Sequence, residues 1–137
     1  MTDAELVAKK LAFIETCVRE LSELARPELL ATDIREERFV VHTLQIAIQA
    51  ALDVASHIVS DDRLGEPENN RQLFELLVKN GWVPNTLAES LRAMVGFRNI
   101  LVHGYQSVDP ALVREVVEHR LDDLLAYCLA IRERLAR

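Results

Sequence analysis

The chain has 137 residues, half of them hydrophobic, which suits a single domain with one continuous core. Its formal net charge of −6 excludes a broad basic surface for non-specific polyanion binding, so that any nucleic-acid site must be local. With only four Gly and four Pro, the composition favours helices over a many-stranded sheet.

The amino terminus carries acidic residues, Asp3 and Glu5, where a signal peptide would be basic. No uninterrupted apolar run approaches the roughly 20 residues that a membrane span requires. We therefore expect a cytoplasmic protein that makes no contact with a membrane.

Two long helices are predicted in the first half of the chain. Thr2 and Glu5 fit a capping box, and the apolar stripe that follows ends before Pro27. A second capping box begins at Asp33 and opens a longer helix that should end near Asp61. This second helix is apolar on more than one side, so neighbouring helices are expected to cover several of its sides.

Three further helices are predicted in the second half of the chain. Asn70 caps a short helix, which ends at Gly81 in left-handed backbone. A fourth helix runs into residues 98–105. The fifth follows Asp109, which is succeeded by Pro at the first helical position, and continues as one apolar stripe to Leu135.

Five amphipathic helices pack most simply as an all-α, up-and-down bundle, here a single domain over residues 1–137. Cys17 and Cys128 lie far apart in apolar stripes, without metal-type spacing to another ligand. Both are expected to be buried free thiols. No cofactor is predicted.

A permanent cation interrupts the apolar pattern of the fourth helix. Leu91, Met94 and Leu101 mark its apolar face, and the same rhythm places Arg98 and Tyr105 at core-facing positions. Because an arginine cannot lose its charge, it is costly there unless an anion meets it. That anion is either a protein carboxylate or the phosphate of a ligand.

His103 follows Asn99 by one turn, so that both side chains lie on one face of the fourth helix. Gly104 is expected to end the helix and to leave the imidazole near solvent, where a histidine titrates close to neutral pH. His103 can therefore transfer protons, although capping the last carbonyls of the helix is an alternative role.

A purely structural interpretation explains the same residues. Arg98 could pair with a buried acid such as Asp53, and Tyr105 could belong to the core. An Arg and a His five residues apart are common in unrelated helices, so spacing alone favours this structural interpretation.

The run R-N-I-L-V-H-G-Y at residues 98–105 resembles the R-N-x-x-V-H-x-Y signature of the HepT-like HEPN ribonuclease toxins. Residues 91–97, which precede the motif, and residues 45–57 of the second helix are also similar to the family. The resemblance covers residues 5–135, and the motif departs nowhere from the signature. It implies a five-helix HEPN bundle that forms a homodimer, with two copies of the motif on either side of a cleft.

The resemblance also implies a function. Such a protein is the metal-independent endoribonuclease of a type VII-like toxin–antitoxin pair, and an MNT-type nucleotidyltransferase antitoxin silences it by transferring AMP to the motif tyrosine, Tyr105. Arg98 and His103 would then be the catalytic residues, supported by Asn99, Tyr105 and Asp53. RNA cleavage without a metal needs a base, an acid and a cation, which two symmetry-related motifs can supply.

Polar residues of the second helix offer other candidates. Asp53 and His57 have a spacing that could share a metal, but two ligands are too few and no metal site is predicted. Asp53 is instead interpreted as the partner that positions Arg98. A polar stripe is interpreted as a solvated helix face, with an RNA cleft as the alternative; it comprises His42, Gln45, Gln49 and Ser56.

Two other functions fit the same residues. One is a non-catalytic nucleotide- or RNA-binding module that partners a nucleotidyltransferase, in which Arg98 and His103 hold phosphates. The other is a purely structural interaction bundle. An RNA cleavage assay separates both of them from the ribonuclease.

Overall fold

The computed structural model describes residues 2–103 and 108–137, so Gly104 and Tyr105 of the motif lie outside the described residues. Six α-helices form within these ranges: α1 (Ala4–Leu24), α2 (Ile34–Asp61), α3 (Asn70–Lys79), α4 (Ala88–His103), α5 (Pro110–His119) and α6 (Leu121–Leu135). Short 3₁₀ turns occupy Pro27–Leu29 and Asn85–Leu87, and the described ranges contain no strand. The predicted all-α class is confirmed.

The long helix α2 is the centre of the bundle. α1, α3 and α4 pack along it, and α6 packs against α1. Buried residues of α2 fall on several sides of the helix, as predicted, and include the small side chains of Ala47, Ala51 and Ala55. The buried apolar side chains of all six helices form one continuous core.

α2 is also long and apolar enough to cross a membrane by length and composition, with a mean hydropathy of 1.3 over its most apolar window. However, 61% of that window is buried inside the bundle. Core packing accounts for the apolar character of α2, and its length and composition are weak evidence for a membrane span.

Helix ends follow local capping chemistry. Asp33 and Asp109 cap α2 and α5, where each carboxylate accepts a hydrogen bond of 2.9 Å from a backbone N–H two residues on. α3 is capped by Asn69, one residue before the predicted Asn70. Gly81, which follows α3, has φ of +78°, the left-handed conformation that its sequence position predicted.

The start of α1 differs from the predicted capping box. Asp3 is the N-cap, and its carboxylate accepts a hydrogen bond of 3.1 Å from the Leu6 N–H. The hydroxyl of Thr2 instead donates to the carboxylate of Asp62 at 2.8 Å. This hydrogen bond joins the beginning of α1 to the end of α2, a pairing that only the packing of the two helices could reveal.

The predicted fifth helix is two helices in the structure. The helix is interrupted at Arg120, with φ −118° and ψ −4°, between the end of α5 at His119 and the start of α6 at Leu121. Neither Gly nor Pro marks the break. The apolar stripe continues across it because Val117 of α5 and Leu121 of α6 enter the same core.

Three reactive side chains are held in the core. Tyr127 is fully buried; its hydroxyl donates to the Ala51 carbonyl at 2.8 Å, and its ring meets Phe74 edge to face. Burial raises the pKa of the Tyr127 hydroxyl well above its ordinary value. Cys17 and Cys128 are buried free thiols, as predicted, and burial raises the pKa of Cys128 to about 12.

Candidate active site

Arg98 lies in the middle of the buried face of α4. Leu91, Met94 and Leu101, which surround it on that face, are all buried. The Arg98 side chain is half-buried, and its Nε atom is enclosed without a hydrogen-bond partner among residues 2–103 and 108–137. The prediction that a cation interrupts the apolar face of this helix is therefore confirmed.

Two amide oxygens hold the guanidinium of Arg98. Its Nη2 donates to Oε1 of Gln49 on α2 at 2.9 Å, and its Nη1 donates to Oδ1 of Asn99 at 3.3 Å. Both acceptors are neutral. Among the residues that the structure describes, no carboxylate forms a direct ion pair with Arg98, and the Asp53 carboxylate lies behind Gln49.

Within the described residues, Asp53 is linked to Arg98 through Gln49. The Gln49 Nε2 donates to Asp53 Oδ1 at 3.0 Å, and Lys10 Nζ lies 3.6 Å from Asp53 Oδ2. The expected direct pair between Arg98 and Asp53 is not formed, because the packing of α2 against α4 places residue 49, one turn before Asp53, opposite the guanidinium. The sequence places Gln49 on a polar stripe that is interpreted as a solvated face or an RNA cleft; its spacing of four from Asp53, a known helix-surface pair, is the signal that could have indicated this contact.

Asn99 and His103 lie on the exposed side of α4 and are one turn apart, as predicted. Helical geometry spreads Arg98, Asn99 and His103 over an arc of about 140°. The described part of α4 ends at His103, so the predicted end of the helix at Gly104 lies outside the described residues. The placement of Tyr105 beside Arg98 falls outside the described residues and stays a prediction.

Other polar residues of the α2 stripe do not take part in the contact between Gln49 and Arg98. His42 and Ser56 are exposed, in agreement with a solvated helix face. Within residues 2–103 and 108–137, no three His, Cys, Asp or Glu side chains converge as potential metal ligands. The site described here therefore consists of Arg98, Asn99 and His103 on α4, with Gln49 and Asp53 on α2.

The helical bundle with Arg98, Asn99 and His103 on α4 agrees with the HEPN class that the motif resembles, and comparison with known proteins shows that class. The tri-AMPylated HEPN toxin of Shewanella oneidensis, solved in complex with an MNT antitoxin, matches it with a TM-score of 0.86 and 31% identity over 97% of this chain and 99% of that chain. The ribonuclease HepT-like family model matches residues 14–131. The chain belongs to the ribonuclease HepT-like family.

Two characterised sequences extend this result. The mRNA nuclease HepT of Shewanella oneidensis is 32% identical over 120 residues, which cover 87% of this chain and 90% of that protein. The tRNA nuclease HepT of Aphanizomenon flos-aquae is 28% identical over 127 residues, which cover 89% and 86%, respectively. The family resemblance seen in the motif is confirmed, and the relatives are ribonucleases named for different classes of RNA.

Proposed function

We propose that this chain is a cytoplasmic, metal-independent endoribonuclease toxin that cleaves cellular RNA in a dimer cleft. The observation that carries the proposal is the cation on α4, which has no direct ion pair within the described residues. Arg98 is half-buried, two neutral amide oxygens hold it, and its buried Nε meets no hydrogen-bond acceptor among those residues. Such a guanidinium is a site for an anion, since pairing with one recovers the cost of burying the charge. The phosphodiester of RNA is the anion on which the family acts.

The proposed chemistry is an intramolecular transesterification. A base removes the proton of the 2′-OH, the 2′-oxygen attacks phosphorus, and the 5′-oxygen leaves with a proton from an acid. Arg98 stabilises the negative charge that develops on the non-bridging oxygens, and His103 transfers a proton. Asn99 holds Nη1 of Arg98 and thereby limits the positions that the guanidinium can take.

A dimer accounts for the need for both an acid and a base. Each motif contains one histidine, and two-fold symmetry brings two together. Val102, 37% exposed, lies between Arg98 and His103 around α4 and leaves an apolar surface beside the site. We propose that a second copy of the chain covers this surface.

The dimer proposal predicts a change of mass when Val102 is replaced by a charged residue. The native protein is expected to scatter light as twice the 15.5 kDa chain at micromolar concentration, and Val102→Asp is expected to shift the mass toward the monomer and to reduce RNA cleavage. Leu129→Asp is the matched control, because Leu129 is 58% exposed on α6, away from the motif. Monomeric native protein, or equal effects of the two variants, would contradict the proposal.

A second prediction tests the absence of a metal from the reaction. Cleavage is expected to continue at an unchanged rate in EDTA, and its products should carry a 2′,3′-cyclic phosphate and a 5′-hydroxyl, because the 2′-oxygen is the nucleophile. Denaturing gels and end-group analysis of the fragments check both points. If chelation stops cleavage and a divalent ion restores it, the mechanism is wrong; RNA binding without any cleavage would favour the non-catalytic module.

The proposed partner is an MNT-type nucleotidyltransferase that neutralises the toxin by transferring AMP to Tyr105. Support comes from the Shewanella oneidensis HEPN toxin, which is tri-AMPylated and bound to an MNT antitoxin in its structure. The motif tyrosine is present in this chain at the position that the signature requires. Transfer of AMP to its hydroxyl would release pyrophosphate from ATP and place a new anion on the motif.

A further inference from the structure

We propose that Gln49 is a positioning residue for Arg98, and that its side-chain amide sets where the guanidinium meets the RNA phosphate. The inference rests on the proposed ribonuclease function and extends it to a residue outside the R-N-x-x-V-H-x-Y motif. Gln49 acts through Arg98, and it touches neither the reacting atoms nor the leaving group.

The two hydrogen bonds of Gln49 fix the orientation of its amide. Its Nε2 donates to Asp53 Oδ1 at 3.0 Å, and an ionised carboxylate can only accept hydrogen bonds. The NH₂ group must therefore point along α2 toward Asp53, and Oε1 must point at α4, where it accepts from Arg98 Nη2 at 2.9 Å. A reversed amide would place two donors against the guanidinium and an oxygen against the carboxylate.

The support for this orientation continues into α1. Lys10 Nζ lies 3.6 Å from the second carboxylate oxygen of Asp53, so the chain Lys10–Asp53–Gln49–Arg98 joins three helices. Lys10 and Asp53 are both partly exposed, and their ion pair is weak. Within this series of contacts, the hydrogen bond between Arg98 and Gln49 is the one that directly limits the positions of the guanidinium.

A neutral acceptor at residue 49 suits a phosphate site better than a carboxylate. Both an amide and a carboxylate can orient a guanidinium, but a carboxylate would also cancel its charge and compete with the phosphate. Gln49 and Asn99 together hold both Nη atoms without forming an ion pair with the guanidinium. The arrangement orders a flexible side chain before RNA binds, which is the condition for a well-placed cation in the transition state.

The first test replaces Gln49 with methionine, which has a similar length and no hydrogen-bonding amide. Cleavage by Gln49→Met is expected to fall roughly 10- to 100-fold, because a displaced guanidinium meets the phosphate poorly. Thr43→Val is the matched control, because it also removes a polar group from α2. Thr43 is buried, and its hydroxyl donates to the Phe39 carbonyl of the same helix. Thermal melting of both variants reports whether they fold. Asp53→Asn is the second variant: it leaves Gln49 in place but allows its amide to reverse, and we expect it to lose less cleavage activity than Gln49→Met.

A double-mutant cycle separates positioning from a structural role. Binding of a short single-stranded RNA is measured by fluorescence anisotropy in a His103→Ala background, so that the RNA stays intact. Gln49→Met is expected to weaken binding about tenfold while Arg98 is present and to have no further effect after Arg98→Ala, because residues that act through one another are not additive. Thr43→Val should have the same small effect in both backgrounds.

The outcomes distinguish this inference from the proposed function. If the unmodified protein cleaves RNA but Gln49→Met causes equal losses with and without Arg98, or no loss at all, Gln49 is not a positioning residue and the ribonuclease proposal stands. If the unmodified protein neither binds nor cleaves RNA, the ribonuclease proposal fails and this inference fails with it.

Discussion

Arg98→Ala and His103→Ala are each expected to abolish toxicity and to lower RNA cleavage by roughly 10²- to 10⁴-fold, the range for loss of a transition-state cation or a proton-transfer group. Helicity should be nearly unchanged. His103 is exposed at the end of α4, and Arg98 contributes a half-buried guanidinium held by two amides rather than apolar packing at the centre of the core.

Matched controls exist for both substitutions. Arg92→Ala removes an exposed arginine from the same helix, where it lies 4.0 Å from Glu75, and His119→Ala removes an exposed histidine from the end of α5. Both controls should cleave RNA at the native rate and support the same toxicity. Growth curves and cellular RNA integrity after induction are the measurements, and cleavage at the native rate by either motif variant would remove that residue from the mechanism.

The second large effect concerns Tyr105. Incubation with the MNT-type partner, ATP and Mg²⁺ is expected to add AMP to this tyrosine and to silence the ribonuclease. Tyr105 follows Arg98 by seven residues, which is about two helical turns if helical geometry persists past Gly104; a new phosphate on Tyr105 would then pair with the guanidinium and exclude the RNA backbone by charge and by volume. Modification and RNA binding should therefore be mutually exclusive.

The chain carries its own control for this modification. It has two tyrosines, and the other, Tyr127, is 0% exposed with its hydroxyl bonded to the Ala51 carbonyl. Intact-mass and peptide mass spectrometry are expected to place AMP on Tyr105, while Tyr105→Phe accepts none and stays active in the presence of the partner. An adduct on Tyr127, or full activity of the modified protein, would show that this account of silencing is wrong.

Much of the helical architecture could be predicted because helix limits depend on neighbouring residues. Asp33 and Asp109 cap their helices through an N–H group two residues on, and Gly81 takes the predicted left-handed backbone. The other half of the predicted capping box at Asp33 is not formed, because the Glu36 carboxylate accepts from the Arg26 N–H instead. The apolar face of α4 and its interruption by Arg98 follow from the same local periodicity. The motif at residues 98–105 likewise belongs to one continuous segment.

Local periodicity thus indicates the all-α class, whereas the family and the roles of Arg98 and His103 were indicated by the resemblance of residues 98–105 to a known motif. Neither signal could indicate which residue meets Arg98, because the register between α2 and α4 depends on packing between helices that are distant in sequence. One helical turn of that register separates the expected Asp53 from the observed Gln49. It changes the partner of the cation from a carboxylate, which would cancel its charge, to a neutral amide, which forms no ion pair with it.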